Sequence, residues 1–301
     1  MKKLVFIFLI TITENLMACD ICGCANSGSF FGVLPQSHLR IIGIKSRIRS
    51  FDSHVNSLTQ STRENYHSNE LWARLYPLPK VQILANLPYH FNSQELKISK
   101  EKKELKGLGD ASFTAYYNLK NTFWDSTHTS HFNHTILIGM GIKAPTGKYR
   151  YQSQITDVLN PNFQLGTGSF DGTLAAIHTV RWHDFGINTE GQLKLNGKNK
   201  NNYRFGNKVN GSITAFFSPK IGELLLVAQM GAFAEIAKND KLQNVKNSDT
   251  GGWQVSAHTG FDIYYKQLQF GLNIQKPIAQ NLAKNQIKAN ENFSANLAYL
   301  F

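Results

Sequence analysis

Past its first 20 residues the chain has no apolar run near the roughly 18 residues that a membrane-crossing helix needs. Mean hydropathy is −0.29, which also excludes a helical membrane protein. Charge is scarce: 17% of the 301 residues are ionic, against about 25% in ordinary soluble domains. Cysteine is almost absent, and the three that exist fall between positions 19 and 24. No phosphate loop, dinucleotide-binding glycine fingerprint or zinc-finger spacing occurs. What is present is 42% hydrophobic and 12% aromatic residues. Low charge and many aromatics without a helical span suit a transmembrane β-barrel, whose lipid face and wet face alternate and average out.

The formal net charge is +12. Lys and Arg are dispersed, and the run from Lys100 to Lys106 is interrupted by Glu101 and Glu104. Solvated loops account for this pattern; attraction to anionic solutes or lipid head groups is the other reading. Nucleic acid is not expected as a partner, because no basic stripe forms.

Residues 1–18 read as a secretory signal. Met1-Lys2-Lys3 is a basic start, and Leu4 to Thr13 is an apolar stretch too short to span a membrane. Leu16-Met17-Ala18-Cys19 resembles a lipobox, which would lipidate Cys19; ordinary cleavage after Ala18 is the alternative. Residues 19–37 form a cysteine-bearing leader or plug, and 38–301 the barrel. The segment 25–37 carries Phe30-Phe31-Gly32-Val33-Leu34, which suits a plug or a contact with the inner rim, beside the alternative of a loose leader.

From about His38 the chain reads as short stretches of period two, the signature of strands with two unlike faces. Val81, Ile83, Ala85, Leu87 and Tyr89 alternate with polar neighbours; so do Ala111 to Leu119, Ile187 to Leu195, Val209 to Phe217, Val255 to Ile263 and Leu268 to Ile274. Phe293, Ala295, Leu297, Tyr299 and Phe301 close the chain. With segments near 39–52, 69–77, 134–144, 168–182 and 223–236, the pattern predicts a single antiparallel barrel of about twelve strands. Tight turns at Pro77 to Lys80, Trp182 to Asp184, Ser218 to Lys220 and Tyr265 to Gln267 alternate with longer polar connections. The stretch 120–133 is long for the short-turn side. An alternating strand ending on Phe301 is the form that barrel-assembly machinery recognises. A soluble β-sandwich or propeller shares the alternation, but not the export signal, the loop asymmetry or that last strand.

The phase of the strands turns Lys45, Arg47, Arg49, Arg74, Lys143, Glu190, Lys194, Glu235 and Asp262 inward. A basic residue facing lipid at the midplane costs about 2–4 kcal/mol, whereas a wet lumen accepts it. A lumen lined with polar groups is therefore expected, either open or filled.

Several motifs sit at strand ends: Gly107-Leu108-Gly109-Asp110, Gly141-Ile142-Lys143-Ala144-Pro145-Thr146-Gly147, Leu165-Gly166-Thr167-Gly168-Ser169 with Asp171, and Gln275-Lys276-Pro277-Ile278. Each alone is turn chemistry. Their order over residues 38–301 resembles the outer-membrane transporter family named for a meta-pathway of phenol degradation. The resemblance implies a monomeric barrel in the cell outer membrane, passing small, often hydrophobic, molecules. It leaves the substrate open.

Cys19-Asp20-Ile21-Cys22-Gly23-Cys24 departs from the general pattern and resembles a start found in Bacteroidetes members of the group. Thiolates so spaced suit Cu(I) or Zn(II); lipidation of Cys19, with Cys22 and Cys24 as a disulfide or spacers, is the alternative. His128, His131 and His134 recur every third residue in and just after the anomalous turn. With a periplasmic N-terminus they would share a side with the cysteines, and His128 or His131 could complete a copper or zinc site. An exposed polar loop that happens to contain His is the favoured alternative.

Three functions follow: a channel for small solutes, a metal-handling outer-membrane protein, and, remotely, a barrel enzyme acting on lipids. The last needs a Ser–His pair, and only His67 with Ser68 and His258 with Ser256 are neighbours in sequence. No enzyme activity is expected.

Overall fold

The computed structural model describes residues 40–55, 57, 61–124, 129–149 and 163–301. The signal, the leader with Cys19, Cys22 and Cys24, and His128 lie outside them.

Twelve strands make one wall. They are β1 (Ile41–Ser53), β2 (Thr62–Leu78), β3 (Val81–Leu96), β4 in two segments (Lys102–Leu108 and Ser112–Asn121), β5 (Phe132–Lys143) and β6 (Asp171–Trp182). Then follow β7 (Phe185–Asn196), β8 (Lys208–Phe217), β9 (Leu224–Ala237), β10 (Gly252–Tyr265), β11 (Leu268–Leu282) and β12 (Ile287–Leu300). Each pairs antiparallel with the next, and β12 returns to β1 with Ile41 opposite Leu300 and Ser53 opposite Ile287. A final rung runs from the Phe301 amide to the Arg40 carbonyl (2.9 Å). The sheet is closed, so its first and last strands are paired on both sides; the segment Lys102–Leu108 of β4 pairs with β3 alone. This is the antiparallel barrel that the alternation predicts.

The polarity of the wall is the reverse of a soluble protein's. On β1, Ile42, Ile44 and Ile48 are 45%, 58% and 50% exposed, while Lys45, Arg47 and Arg49 are 5%, 5% and 8% exposed. Phe113, Ile138, Leu174, Ile213, Met230, Leu272 and Leu297 continue the exposed apolar surface around the barrel. An apolar surface this continuous calls for a non-aqueous surrounding. Toward the end that carries Arg40 and Phe301, Tyr117, Phe132, Trp182, Phe185, Phe217, Tyr265, Tyr299 and Phe301 lie exposed. They form an aromatic girdle of the kind found at membrane interfaces.

Three turns at this end are tight, while the β4–β5 connection between Asn121 and Phe132 is long, as expected. Pro79-Lys80, His183-Asp184 and Lys266-Gln267 each link paired strands directly. His183 (φ 51°) and Lys266 (φ 52°) take the left-handed conformation that matches hairpin twist. At the opposite end, segments 144–170, 197–207 and 238–251 are long. Two of them meet in a small sheet of Tyr203–Arg204, Lys241–Leu242 and Val245–Lys246.

Several strands outrun the sequence expectation. β2 has 17 residues, about 56 Å at ~3.3 Å per residue, whereas about 9–11 tilted residues cross a membrane. It starts at Thr62, β4 starts at Lys102 and β11 runs to Leu282, so three connections expected to be long loops are shorter. Between its segments β4 bulges at Gly109-Asp110-Ala111, opposite Leu87-Pro88. Pro88 has no amide to give the ladder. The Gly109 amide still reaches the Pro88 carbonyl (2.8 Å), but the Ala111 amide bonds the Thr146 hydroxyl (2.8 Å) instead of a strand.

Candidate functional site

The barrel interior is filled by side chains in three layers. Nearest the long loops, the bulge in β4 fastens the segment 144–170. The Asp110 carboxylate accepts from the amides of Gly147 (3.0 Å) and Thr167 (2.9 Å), from the Thr167 hydroxyl (3.1 Å) and from Lys143 Nζ. The Thr146 hydroxyl donates to the Gly109 carbonyl (2.7 Å). Both ends of the segment are thus stapled to the wall. Phe163 is thereby seated in an apolar cluster with Phe51, Tyr66, Ala237, Leu282, Ala283, Ile287 and Ala289. The wall residues of this cluster come from β1, β2, β9, β11 and β12, which lie on one side of the barrel, with Ala283 just past β11, so Phe163 packs against that half of the mouth.

Below it lies a charged layer. Arg47 pairs with Glu70 (3.8 Å), Lys208 with Glu235 (3.7 Å), and Asp171 with both Lys143 (2.9 Å) and Lys194 (3.6 Å). Glu70 also accepts from Ser68 (3.0 Å), Glu64 from Tyr66 (2.8 Å) and Gln94 (3.0 Å), and Asp262 from Gln229 (3.2 Å) and Gln269 (3.0 Å). Lys45 of β1 feels the charges of Asp262 on β10 and Glu190 on β7, across the barrel. Seven basic side chains (Lys45, Arg47, Arg49, Arg74, Lys143, Lys194, Lys208) meet seven acidic ones (Glu64, Glu70, Asp110, Asp171, Glu190, Glu235, Asp262). This set is balanced, so the chain's basic surplus sits elsewhere. Burying paired charges is tolerated because each finds a partner or a hydrogen bond.

The third layer, toward the termini, is apolar again: Ile41, Trp72, Phe216, Val227, Tyr264, Ala298 and Leu300. Trp72 on β2 and Phe216 on β8 come from opposite walls. Trp72 Nε1 donates to Asn296 (2.8 Å). Glycine makes room for both rings: a Cβ at Gly43 would fall 2.9 Å from Trp72 Nε1, and one at Gly186 2.2 Å from the Phe216 ring.

Among the described residues the charged layer holds a cavity of about 40 Å³ beside Lys45, Arg47 and Asp262 and one of about 20 Å³ beside Tyr116 and Glu190. At about 10–15 Å³ of such volume per water they hold a few waters, not a solute. The nine residues expected to face inward are buried or half-buried in this interior.

Of the three spaced histidines, His131 and His134 are described, and each faces another histidine. His134 Nδ1 lies 3.3 Å from His178 Nε2, and the His131 ring lies 6.2 Å from that of His183. Among the described residues no group of three or more His, Cys, Asp or Glu side chains converges as a metal site. Neither sequence-neighbour Ser–His pair forms. His67 faces outward and bonds Ser46 (3.0 Å), while Ser68 faces inward and donates to Glu70. His258 bonds Thr214 (2.9 Å). Adjacent strand residues point to opposite faces, which separates His67 from Ser68.

Glu64, Glu70, Lys208, Phe163 and Trp72 were not singled out in the sequence. Asp110 and Thr167 were visible only as turn motifs. Their contact spans 57 residues, and no local pattern encodes it.

A closed barrel with an apolar outside, a charged inside and one girdle of aromatics belongs to the class of membrane-spanning β-barrels. More narrowly, the chain belongs to the family described as "Putative MetA-pathway of phenol degradation", whose model matches residues 51–276. Its structure is similar to the COG4313 outer membrane channel from Pseudomonas putida F1, with TM-score 0.66 and 13% identity over 92% of this chain and 100% of that one. It is also similar to the transport unit of the autotransporter AIDA-I from Escherichia coli, with TM-score 0.51 and 12% identity over 93% and 96%. No curated relative matches the sequence.

Proposed function

We propose that this protein is a monomeric outer-membrane channel for small solutes, at rest in a closed state. Its termini and tight turns face the periplasm and its long loops face outward. The observation that carries the reading is the inverted wall, with Ile44 exposed and Lys45 buried beside it. Such a wall is stable only with lipid outside and polar contacts inside. The two apolar layers act as gates in series around the charged chamber. They exclude hydrated ions at rest, so a permeant must displace Phe163 at one end and the Trp72–Phe216 layer at the other. A small apolar or weakly polar molecule can exchange contacts with both gates and still find hydrogen-bond partners between them. The COG4313 channel of similar fold supports this assignment.

Single-channel recording in planar bilayers tests it on the refolded full chain. The wild type is expected to be closed with brief openings. Phe163→Ala combined with Trp72→Ala is expected to conduct steadily. If the double variant folds, shown by heat-dependent gel mobility, and stays silent, passage through the lumen is wrong.

A further inference from the structure

Outside the barrel, where β10, β11, β12 and β1 run side by side, the apolar wall is indented. Two cross-strand rows lie next to each other: Thr259, Ile274, Phe293 and Ile48, then Phe261, Leu272, Ala295 and Ser46. Ala295 and Ser46 are small and their neighbours tall. The result is an outward-facing groove of about 380 Å³, almost wholly apolar. That volume falls within the about 300–1,000 Å³ of small-molecule sites.

The groove ends at polar atoms. Ser46 Oγ and His67 Nε2 are hydrogen-bonded (3.0 Å), and the His67 ring lies against Phe91 (5.7 Å between centroids). Toward the long loops the outward face stays polar, with Ser50 opposite Asn65 and Asp52 opposite Arg63. Arg63 and Lys97 converge on Asp52 at 3.3 and 3.0 Å, and Lys276 pairs with Glu291 (3.7 Å). Lys288 stands across from Asp52 in register. Glu95 stands across from Arg63 and pairs with Lys100 (3.7 Å), so five cations meet three carboxylates and this face stays positive. Arg63 and Lys97 remain 57% and 42% exposed despite their contact with Asp52.

An apolar groove below, a hydroxyl–imidazole pair at its lip and a cationic rim above match an anionic lipid in all three parts. We propose that this face binds one phosphorylated, acylated lipid of the outer leaflet. An acyl chain fills the groove over Ala295, its ester or amide carbonyl accepts from the Ser46–His67 pair, and the phosphate sits between Arg63 and Lys97. Along β2, Arg63 lies four residues beyond His67, about 13 Å at ~3.3 Å per residue, a distance that a sugar head group and the Arg63 side chain together span. The pair binds and does not cleave. Ser46 lies in register with both neighbouring strands, so its backbone offers no free amide to stabilise an oxyanion. The inference rests on the outer-membrane reading above.

Native mass spectrometry of the refolded full chain tests it, with bisphosphorylated lipid A as the probe. Phosphatidylcholine is the comparison lipid and inorganic phosphate the competitor. The wild type is expected to retain one lipid A, to retain no phosphatidylcholine and to be unaffected by phosphate. Ala295→Phe fills the groove, and Arg63→Glu with Lys97→Glu reverses the rim. Each is expected to weaken retention at least about tenfold, the equivalent of ~1.4 kcal/mol. Ala176→Phe, an outward position on β6, is the control and should retain lipid as the wild type does. Equal retention by Ala295→Phe and the wild type, or equal loss in the control, overturns the site. Retention of phosphatidylcholine overturns the phosphate requirement, and displacement by inorganic phosphate reduces the site to a surface anion contact. If Ala295→Phe fails to fold, the charge-reversed variant still decides. Absence of the chain from the outer-membrane fraction of cells would instead overturn the functional reading beneath the proposal.

Discussion

Asp110→Ala should unlatch the mouth. The carboxylate receives two backbone amides, from Gly147 and Thr167, that hold the two ends of the segment 144–170. A hydrogen bond to a charged acceptor contributes about 1.5–3 kcal/mol net. The Gly147 amide is buried and the Thr167 amide partly so, and even at the lower figure the two contribute about 3 kcal/mol. At ~1.4 kcal/mol per decade the balance between closed and open segment shifts by about a hundredfold. Lys143 keeps Asp171 at 2.9 Å, so no buried cation is orphaned and the wall stays folded. Two measurements read the shift: limited proteolysis within 144–170 on cells or proteoliposomes, and the open fraction in planar bilayers. Both should rise together. Asp110→Asn keeps an acceptor but loses the charge, so about one decade is expected. If Asp110→Ala folds yet matches the wild type in both assays, Asp110 is only a wall residue and the gating scheme built on it is wrong.

Two further predictions concern the wall and the loops. Ile44→Lys places a cation on the lipid face beside the inward Lys45 and should destabilise the barrel by about 2–4 kcal/mol, measured by guanidinium unfolding in liposomes; an unchanged midpoint would refute the assigned facing. Asp240 is buried under the Tyr203 hydroxyl (2.5 Å) and the Gly206 amide (2.6 Å), and burial pushes its carboxyl above the usual carboxylate range. A raised folded pKa means that the folded loops bind the proton more tightly, so their stability falls as pH rises from the ordinary carboxylate pKa through the raised one. Asp240→Asn should flatten that dependence in the protease resistance of segments 197–207 and 238–251, and a profile identical to the wild type would exclude Asp240 as its source.

The barrel was legible because β1 alternates Ile with Lys or Arg for most of its length, and period two is a local signal. Strand length was less so. In Thr62 to Asn69 Tyr66 is the one large apolar side chain, so the contrast that marks a strand is lost, and in Lys102 to Leu108 charged residues blur it likewise. The latch was illegible in kind, not in degree. Gly107 to Asp110 and Leu165 to Ser169 each read as turns, and only the pairing of β3 with β4 and β5 with β6 brings Asp110 to Thr167. The outward Ser46–His67 pair depends likewise on register, since it joins residues 21 apart on neighbouring strands. Tertiary pairing, not composition, made these contacts.

The amide of Ala111 has one further consequence. It lacks a strand partner, because Pro88 interrupts the ladder, and borrows the hydroxyl of Thr146 from the segment that follows β5. Thr146 is therefore a structural member of the wall. If the proposed gate opens there, one peptide hydrogen in the barrel staves is laid bare, and its exchange with deuterium would time each opening from inside the protein, with no probe attached.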